Sequence, residues 1–328
     1  MRSSLRFHPS LRLYFACTIV CIVCIGLALA AVRVHAEPSE DPYLWLEEVE
    51  SEEALAWVRA HNEPTIAALE SDPLFPVLYE QAEAIYNATD RIPGGNHRGG
   101  WFYNFWQDAD HVRGLWRRCT LESYRIDEPE WEILLDVDAL AEAEDENWVL
   151  KGVDPLEPDF DRALVQLSRG GKDAMVIREF DVPSKQWVEG GFELPEAKTR
   201  VEWEDRNTLL VATNFGEGSL TTSGYPRIVK RWRRGTPLEN AETLFEGEAE
   251  DVSVTAWVSK REDTPVTAVV RSLSFFEHEI RLVDGDELRL LPVPATALPQ
   301  GAFAGRLLFS AREDWERPGK ETVETGTL

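Results

Sequence analysis

From about residue 98 onward the sequence is a succession of short apolar or alternating runs, each closed by turn residues. Among them are "RALVQLS", "DAMVIREFD", "KQWVEGGFEL", "NTLLVAT", "PRIVKRWRR", "VSVTAWV", "PVTAVVR", "HEIRLVD", "ELRLLPV" and "RLLFS". Runs of that length every 8–12 or so positions, with no helical pattern between them, predict antiparallel strands joined by tight turns. Ser168-Arg169-Gly170-Gly171-Lys172 and Asp284-Gly285 supply glycines at two of those turns, where positive φ is needed. More than a dozen strands leave many unpaired edges unless the sheet closes. A ring of four-stranded blades closes it, and roughly 40–50 residues per blade gives about five blades over residues 98–328. No Trp-Asp repeat marks the blades, and a pair of β-sandwiches is the rival arrangement.

Before this region the pattern is helical. "SEEALAWVRAHN" opens with Ser51 as N-cap and with Glu52 and Glu53 in the first turn, where the helix dipole favours acids. Pro64 suits the first turn of a second short helix, "PTIAALE", because its missing N–H has no partner there. Pro73 and Pro76 punctuate, and Leu74, Leu78, Ala82 and Ile85 then predict a third helix with one apolar stripe. "DRIPGGNHRGG" reads as the linker to the strand-rich part. Asn87-Ala88-Thr89 is a formal glycosylation sequon.

The first 36 residues read as a signal peptide. Arg2, Arg6 and Arg12 precede the apolar "LYFACTIVCIVCIGLALAAV", and Val34-His35-Ala36 offers a cleavage site. Export to the periplasm or medium follows, with an uncleaved membrane anchor as the alternative. Cleavage would remove three of the four cysteines and leave Cys119, so neither a disulfide nor a cysteine metal site is expected. The formal charge of −25 repels phosphate and argues against nucleic acid as a partner.

Catalytic motifs are sparse. No serine lies in Gly-x-Ser-x-Gly, and Ser219 in "GEGSLTTSG" reads as a turn residue. His61, His97, His111 and His278 lack the spacing that puts two imidazoles on one helix face. The acids Asp136, Asp138, Glu142, Glu144, Asp145 and Glu146 of "DVDALAEAEDENW" read as a solvated loop with a short helix around "DALAEAE". In "GWFYNFWQDADHVRGLWRR", Trp101–Trp106 carries aromatics on both faces, as a strand buried on both sides requires. "QDADH", with Asp108, Asp110 and His111, reads as a turn and "VRGLWRRC" as the returning strand, its arginines lying over rings or pairing with acids. This is expected to be the first hairpin of the ring.

These stretches carry a family resemblance. "DPYLWLEEVESEEALAWVRAHN", "WFYNFWQDADHVRGLWRR", "PEWEILLDVDALAEAEDENWVLKG", "LSRGGKDAMVIREFD" and "GSLTTSGYPRIVKRWRRGTPL" resemble the N-terminal part of the prolyl oligopeptidase family of serine peptidases, Asp41–Glu47 being the most specific piece. The resemblance implies a helical segment, a seven-bladed β-propeller that gates access for peptides, and a C-terminal α/β-hydrolase domain bearing the Ser, Asp and His triad. With residues 1–36 read as the signal peptide, it implies a helical segment over 37–92 and a partial propeller over 93–328. It places no catalytic, cofactor-binding or metal-binding residue in this chain. The chain is accordingly expected to be a mainly β, truncated propeller, inactive alone. Its partners would be the missing hydrolase domain and, in the full-length protein, peptide substrates. Membrane contact would come only through the N-terminal segment. A non-catalytic propeller module binding a peptide or protein is the alternative function. The stripe of Leu74, Leu78 and Ile85 would lack the hydrolase domain that covers it in the family.

Overall fold

The computed structural model describes residues 41–328 except 49, 261–264, 286 and 304–305. The expected signal peptide, residues 1–36, lies outside the described residues. Two compact units are distinguished, dividing between Ala82 and Glu83.

The described residues of the first unit are mainly helical. Helix α1 (Glu52–Glu70) starts where the sequence indicates, with Ser51 Oγ accepting from Ala54 N at 3.1 Å. It does not stop at Pro64. The expected pair of helices is one continuous helix with Pro64 inside it. Proline removes one backbone donor, and Thr65 Oγ donates back to His61 O at 2.9 Å beside the interruption. His61 is therefore mid-helix, its ring stacked on Trp57 with centroids 3.8 Å apart. Helix α2 (Phe75–Tyr86) carries Leu78, Ala82 and Ile85 of the expected stripe and starts one residue after Leu74. Leu74 is 62% exposed, Leu78 59% and Ile85 69%. Among the described residues no helix is long and apolar enough to cross a membrane.

The described residues of the second unit form five antiparallel sheets in sequence order. The first comprises β1 (Asn96–Arg98), β2 (Trp101–Trp106), β3 (Leu115–Thr120) and β4 (Glu132–Asp136). Helix α3 (Leu121–Tyr124) lies between β3 and β4, and α4 (Val137–Glu144) leads to the second sheet. That sheet contains β5 (Trp148–Pro155), β6 (Arg162–Arg169), β7 (Met175–Asp181), β8 (Gln186–Trp187) and β9 (Glu193–Ala197). The third contains β10 (Arg200–Asp205), β11 (Thr208–Ala212), β12 (Ile228–Arg233) and β13 (Glu242–Glu246). The fourth contains β14 (Ser253–Ser259), β15 (Val266–Ser272), β16 (His278–Asp284) and β17 (Glu287–Leu290). The fifth is the pair β18 (Leu298–Phe303) and β19 (Arg306–Ser310). The sheets run as meanders, as the blades of a propeller do, with β9 in the second returning to pair with β7, and the set is not closed.

The packing explains why the strands read as unbroken apolar runs. On β6, Ala163, Val165 and Leu167 face one core cluster with Tyr103, Trp116 and Trp148, while Leu164 faces the next with Ile177 and Trp203. On β11, Leu209 and Val211 join that second cluster and Leu210 and Ala212 a third, with Val229, Val254 and Val269. A strand sandwiched between neighbouring sheets must be apolar on both faces.

Three sequence expectations are corrected here. Asn96–Arg98 is not linker but strand β1, joined to β2 by Gly99 (φ 54°) and Gly100 (φ 83°). That two-residue turn is the kind two positive-φ glycines favour, and it makes β1–β2 the first hairpin. "VRGLWRRC" becomes strand only at Leu115, because Gly114 sits at φ 98° and Asp138 captures the Arg113 and Gly114 N–H groups at 3.0 and 3.1 Å. "KQWVEGGFEL" is two strands, β8 and β9, both on the edge of β7. Between them the chain turns at Val188–Gly191, and the buried Glu179 accepts from Phe192 N at 2.9 Å and from Arg234 at 2.7 Å. The loops at Gly170-Gly171 and at Gly285 fall where expected, all three glycines at positive φ.

Candidate functional site: the cavity where the first strands converge

The first strand of every sheet reaches one cavity of about 510 Å³ in the second unit. Arg98 ends β1, Asp154 lies near the end of β5, Glu202 is on β10, Lys260 follows β14, and Gln300 is on β18. This convergence is what a ring of meanders produces when each begins at its axis. Two bonds tie neighbouring first strands together. Trp203 Nε1 donates to Asp154 O at 3.0 Å, and the Glu202 carboxylate accepts from the Val258 backbone N–H. Trp203 is buried, so alternate positions of β10 serve different ends: Trp203 and Val201 go to the core, and Glu202 goes to the cavity.

Electrostatically the cavity holds more acid than its cations neutralise. Burial raises Asp154 to about 6; Arg98 and Lys260 pull it down and Glu157 adds to the rise. Its Oδ2 is buried and has no hydrogen-bond partner among the described residues. Burial likewise raises Glu202 to about 8, reinforced by the charge of Asp154 and opposed by the Val258 N–H and Lys260. Burial lowers Lys260, against the pull of Asp205, Asp154, Glu157 and Glu202. The pair therefore takes up and releases protons near neutral pH. A molecule entering the cavity meets walls that discriminate by charge.

The residues weighed from sequence sit elsewhere. Ser219 is buried in a loop, its Oγ donating to Gly216 O at 2.6 Å and accepting from Phe215 N at 2.9 Å, so it is a turn residue. His97 is on β1, His278 opens β16, and His111 lies in the β2–β3 turn, 3.0 Å from Asp108. Asp108 organises that turn, accepting from His111 N at 2.8 Å, Asp110 N at 3.0 Å and Trp106 Nε1 at 2.7 Å. Burial raises its pKa, but these bonds outweigh burial and hold it at about 2. The acidic stretch is more engaged than a solvated loop. Asp136 caps α4 through Ala139 N at 3.0 Å, Glu144 pairs with Arg178 at 2.7 Å, and Glu146 pairs with Arg169 at 2.6 Å. Among the described residues no group of three or more His, Cys, Asp or Glu is placed to hold a metal ion. Asp154 and Glu202 were missed in a chain with 59 acids. Neither "WVLKGVDP", with Lys151 beside Asp154, nor "RVEWED", with Glu204 and Asp205 beside Glu202, marks its cavity carboxylate by pattern.

Comparison with known proteins bears on this arrangement. Residues 30–307 match the profile of the N-terminal β-propeller domain of prolyl oligopeptidase. The chain belongs to the prolyl oligopeptidase family. It is 40% identical over 300 residues to an uncharacterized peptidase of Sinorhizobium fredii, covering 89% of this chain and 41% of that protein. An uncharacterized peptidase of Rickettsia prowazekii is 30% identical over 298 residues, with 87% and 41% covered. Among solved structures, a post-proline cleaving enzyme from Rickettsia typhi superposes with a TM-score of 0.79 at 30% identity, over 86% of this chain and 43% of that one. The chain thus spans about two-fifths of the length of the curated relatives it matches and corresponds to the propeller part of the family. Within that framework the cavity lies at the axis of the blades.

Proposed function

We propose that this chain is the substrate-gating portion of an exported serine peptidase that hydrolyses short peptides. Residues 1–36 would be its export signal, 37–92 its helical segment and 93–328 its partial propeller. The observation that carries the gating role is the axial cavity, which every sheet lines with its first strand and which sets acidic groups in the path of an entering molecule. Family membership and the peptidase relatives support the reaction class. A chain that only lines an opening contributes selection by size and charge, while bond cleavage belongs to a triad carried on an α/β-hydrolase domain.

The test uses the whole protein purified from its source organism. It should cleave fluorogenic peptides, lose that activity to a serine-directed inhibitor, and leave folded proteins intact. Ser259→Trp, which puts an indole into the cavity lining, should lower kcat/KM for peptides of several residues more than for dipeptide-sized substrates. Absence of peptide hydrolysis would overturn the reading in favour of a peptide-binding module. Cell fractionation and N-terminal sequencing test export: the mature chain should begin at Glu37 and lie outside the inner membrane.

A further inference from the structure

A second cavity, of about 550 Å³, lies on the other face of the first sheet, away from its core with the second sheet. Register defines that face. Tyr103 and Trp116 enter the core, so Asn104 and Trp106 on β2, and Arg117 opposite Asn104 on β3, point away from it. The lining includes Arg91, Trp106, Arg117, Tyr124 and Trp131. The Arg117 guanidinium carbon lies 4.7 Å from the Trp106 ring centre and 4.2 Å from that of Trp131, and Arg91 lies 4.8 Å from Trp106.

Arginines stacked on rings recur in this protein, and most are also paired with an acid. Arg118 over Trp101 bonds Glu132 at 2.7 Å, Arg169 over Trp148 bonds Glu146 at 2.6 Å, and Arg178 over Trp187 bonds Glu144 at 2.7 Å. Arg234 over Phe192 bonds Glu179 at 2.7 Å, and Arg281 over Phe245 forms an ion pair with Glu279 at 2.8 Å. Arg117 departs from this rule. Its Nε donates to the Asn104 amide oxygen at 2.7 Å, and among the described residues no carboxylate bonds its terminal nitrogens. Burial pushes it down to about 10, with Asp108 and Cys119 pulling weakly the other way. Asp108 is already committed to the Trp106, Asp110 and His111 N–H groups. Stacking occupies the faces of a guanidinium and leaves its in-plane N–H donors, the part that recognises a carboxylate, unused.

We propose that this cavity binds a carboxylate carried on a planar ring, the carboxylate on Arg117 and the ring against Trp106, Trp131 and Tyr124. The ligand supplies the acid that Arg118, Arg169, Arg178, Arg234 and Arg281 find within the protein. Asp90 and Asp127, both exposed, also line the cavity and disfavour a dianion, which selects a carboxylate over a phosphate.

The test titrates the whole protein with 4-fluorobenzoate and follows the ¹⁹F signal. Neutral 4-fluorobenzamide and inorganic phosphate serve as comparison probes. Saturable binding of the benzoate is expected, with the amide and phosphate each at least tenfold weaker. R117M should lose at least tenfold in benzoate affinity, and R117K, which keeps the charge but not the planar fork, several-fold. Equal binding of benzoate and benzamide would overturn the proposal by showing stacking alone. So would absence of benzoate saturation, or phosphate binding as tight as benzoate. The comparison of probes on the unmodified protein stands even where a variant misfolds. With a folded R117M, judged by an unchanged circular dichroism spectrum, unaltered benzoate affinity would also sink it.

Discussion

Replacing Glu202 by glutamine should change how stability depends on pH, and the sign follows from the axial cavity. The Glu202 carboxyl is raised from the ordinary 4.5 to about 8. Between those values the unfolded chain has lost the proton and the folded chain keeps it. The folded state then binds more protons, so stability falls as pH rises across this window, by up to about 1.4 kcal/mol per pH unit, and levels off above it. The full shift corresponds to about 5 kcal/mol, and water in a cavity of this size screens roughly half of that. Asp154, raised from 3.8 to about 6, adds a fall of the same sign at lower pH. Glutamine keeps the shape of the neutral acid and an oxygen for the Val258 N–H. E202Q should match the wild type at pH 5 and exceed it by about 2–3 kcal/mol at pH 9, or roughly 3–5 °C in Tm for a protein of this size. Lys260 is common to both proteins and largely cancels in the comparison. Urea denaturation of both proteins at intervals from pH 5 to 9 measures the difference directly. Parallel curves across that range, or an E202Q protein less stable at pH 9, would refute the view that Glu202 is held neutral by burial.

Three further outcomes are expected. D108A removes the acceptor for three N–H groups and should cost about 2 kcal/mol at neutral pH. Because Asp108 is held at about 2, its stabilisation is present above 3.8 and lost as pH falls through 2, so D108A should flatten acid denaturation between those values. L209A empties a fully buried site between the second and third sheets and should cost about 3–4 kcal/mol by chemical denaturation. P64A restores a backbone donor inside α1 and should stabilise that helix by up to about 3 kcal/mol, seen as increased protection of Pro64-flanking amides in hydrogen exchange.

Much of the fold was legible because its rules are local. Ser51 caps α1 through its own side chain, and Gly170-Gly171 turns the β6–β7 hairpin through backbone freedom that only glycine has cheaply. Apolar runs announced strands buried on both faces, and β6 and β11 divide their residues between two cores as such strands must. The misreadings came where a local rule met a longer-range bond. Pro64 normally marks a helix start, yet here it is enclosed by a continuing helix. The run "KQWVEGGFEL" looks continuous, yet Glu179 and Arg234, distant in sequence, engage the chain beside its break. Strand β1 is three residues long and exists only through its pairing with β2.

The two cavities follow one principle that no local pattern records. Desolvation penalises charge of either sign, raising the acids Asp154 and Glu202 and lowering the bases Lys260 and Arg117. A protein evades that penalty by pairing opposite charges, as five ring-stacked arginines do with glutamates, four of them on other segments of the chain and Glu279 on the same strand as Arg281. At the axis the acids face too few cations, and on the outer face of the first sheet the Arg117 guanidinium has no bonded acid among the described residues. Both places adjoin open volume, and the uncompensated charge has opposite sign in each. A molecule with separated charges would therefore be oriented differently by the two. Its cationic end is favoured in the axial cavity above the pH at which Glu202 ionises, and its carboxylate is favoured against Arg117 throughout the neutral range. The pH dependence of binding separates the two cavities without mutation. Affinity at the axis should rise between pH 6 and 9, following Asp154 and Glu202, while benzoate affinity on the outer face stays level over the same interval.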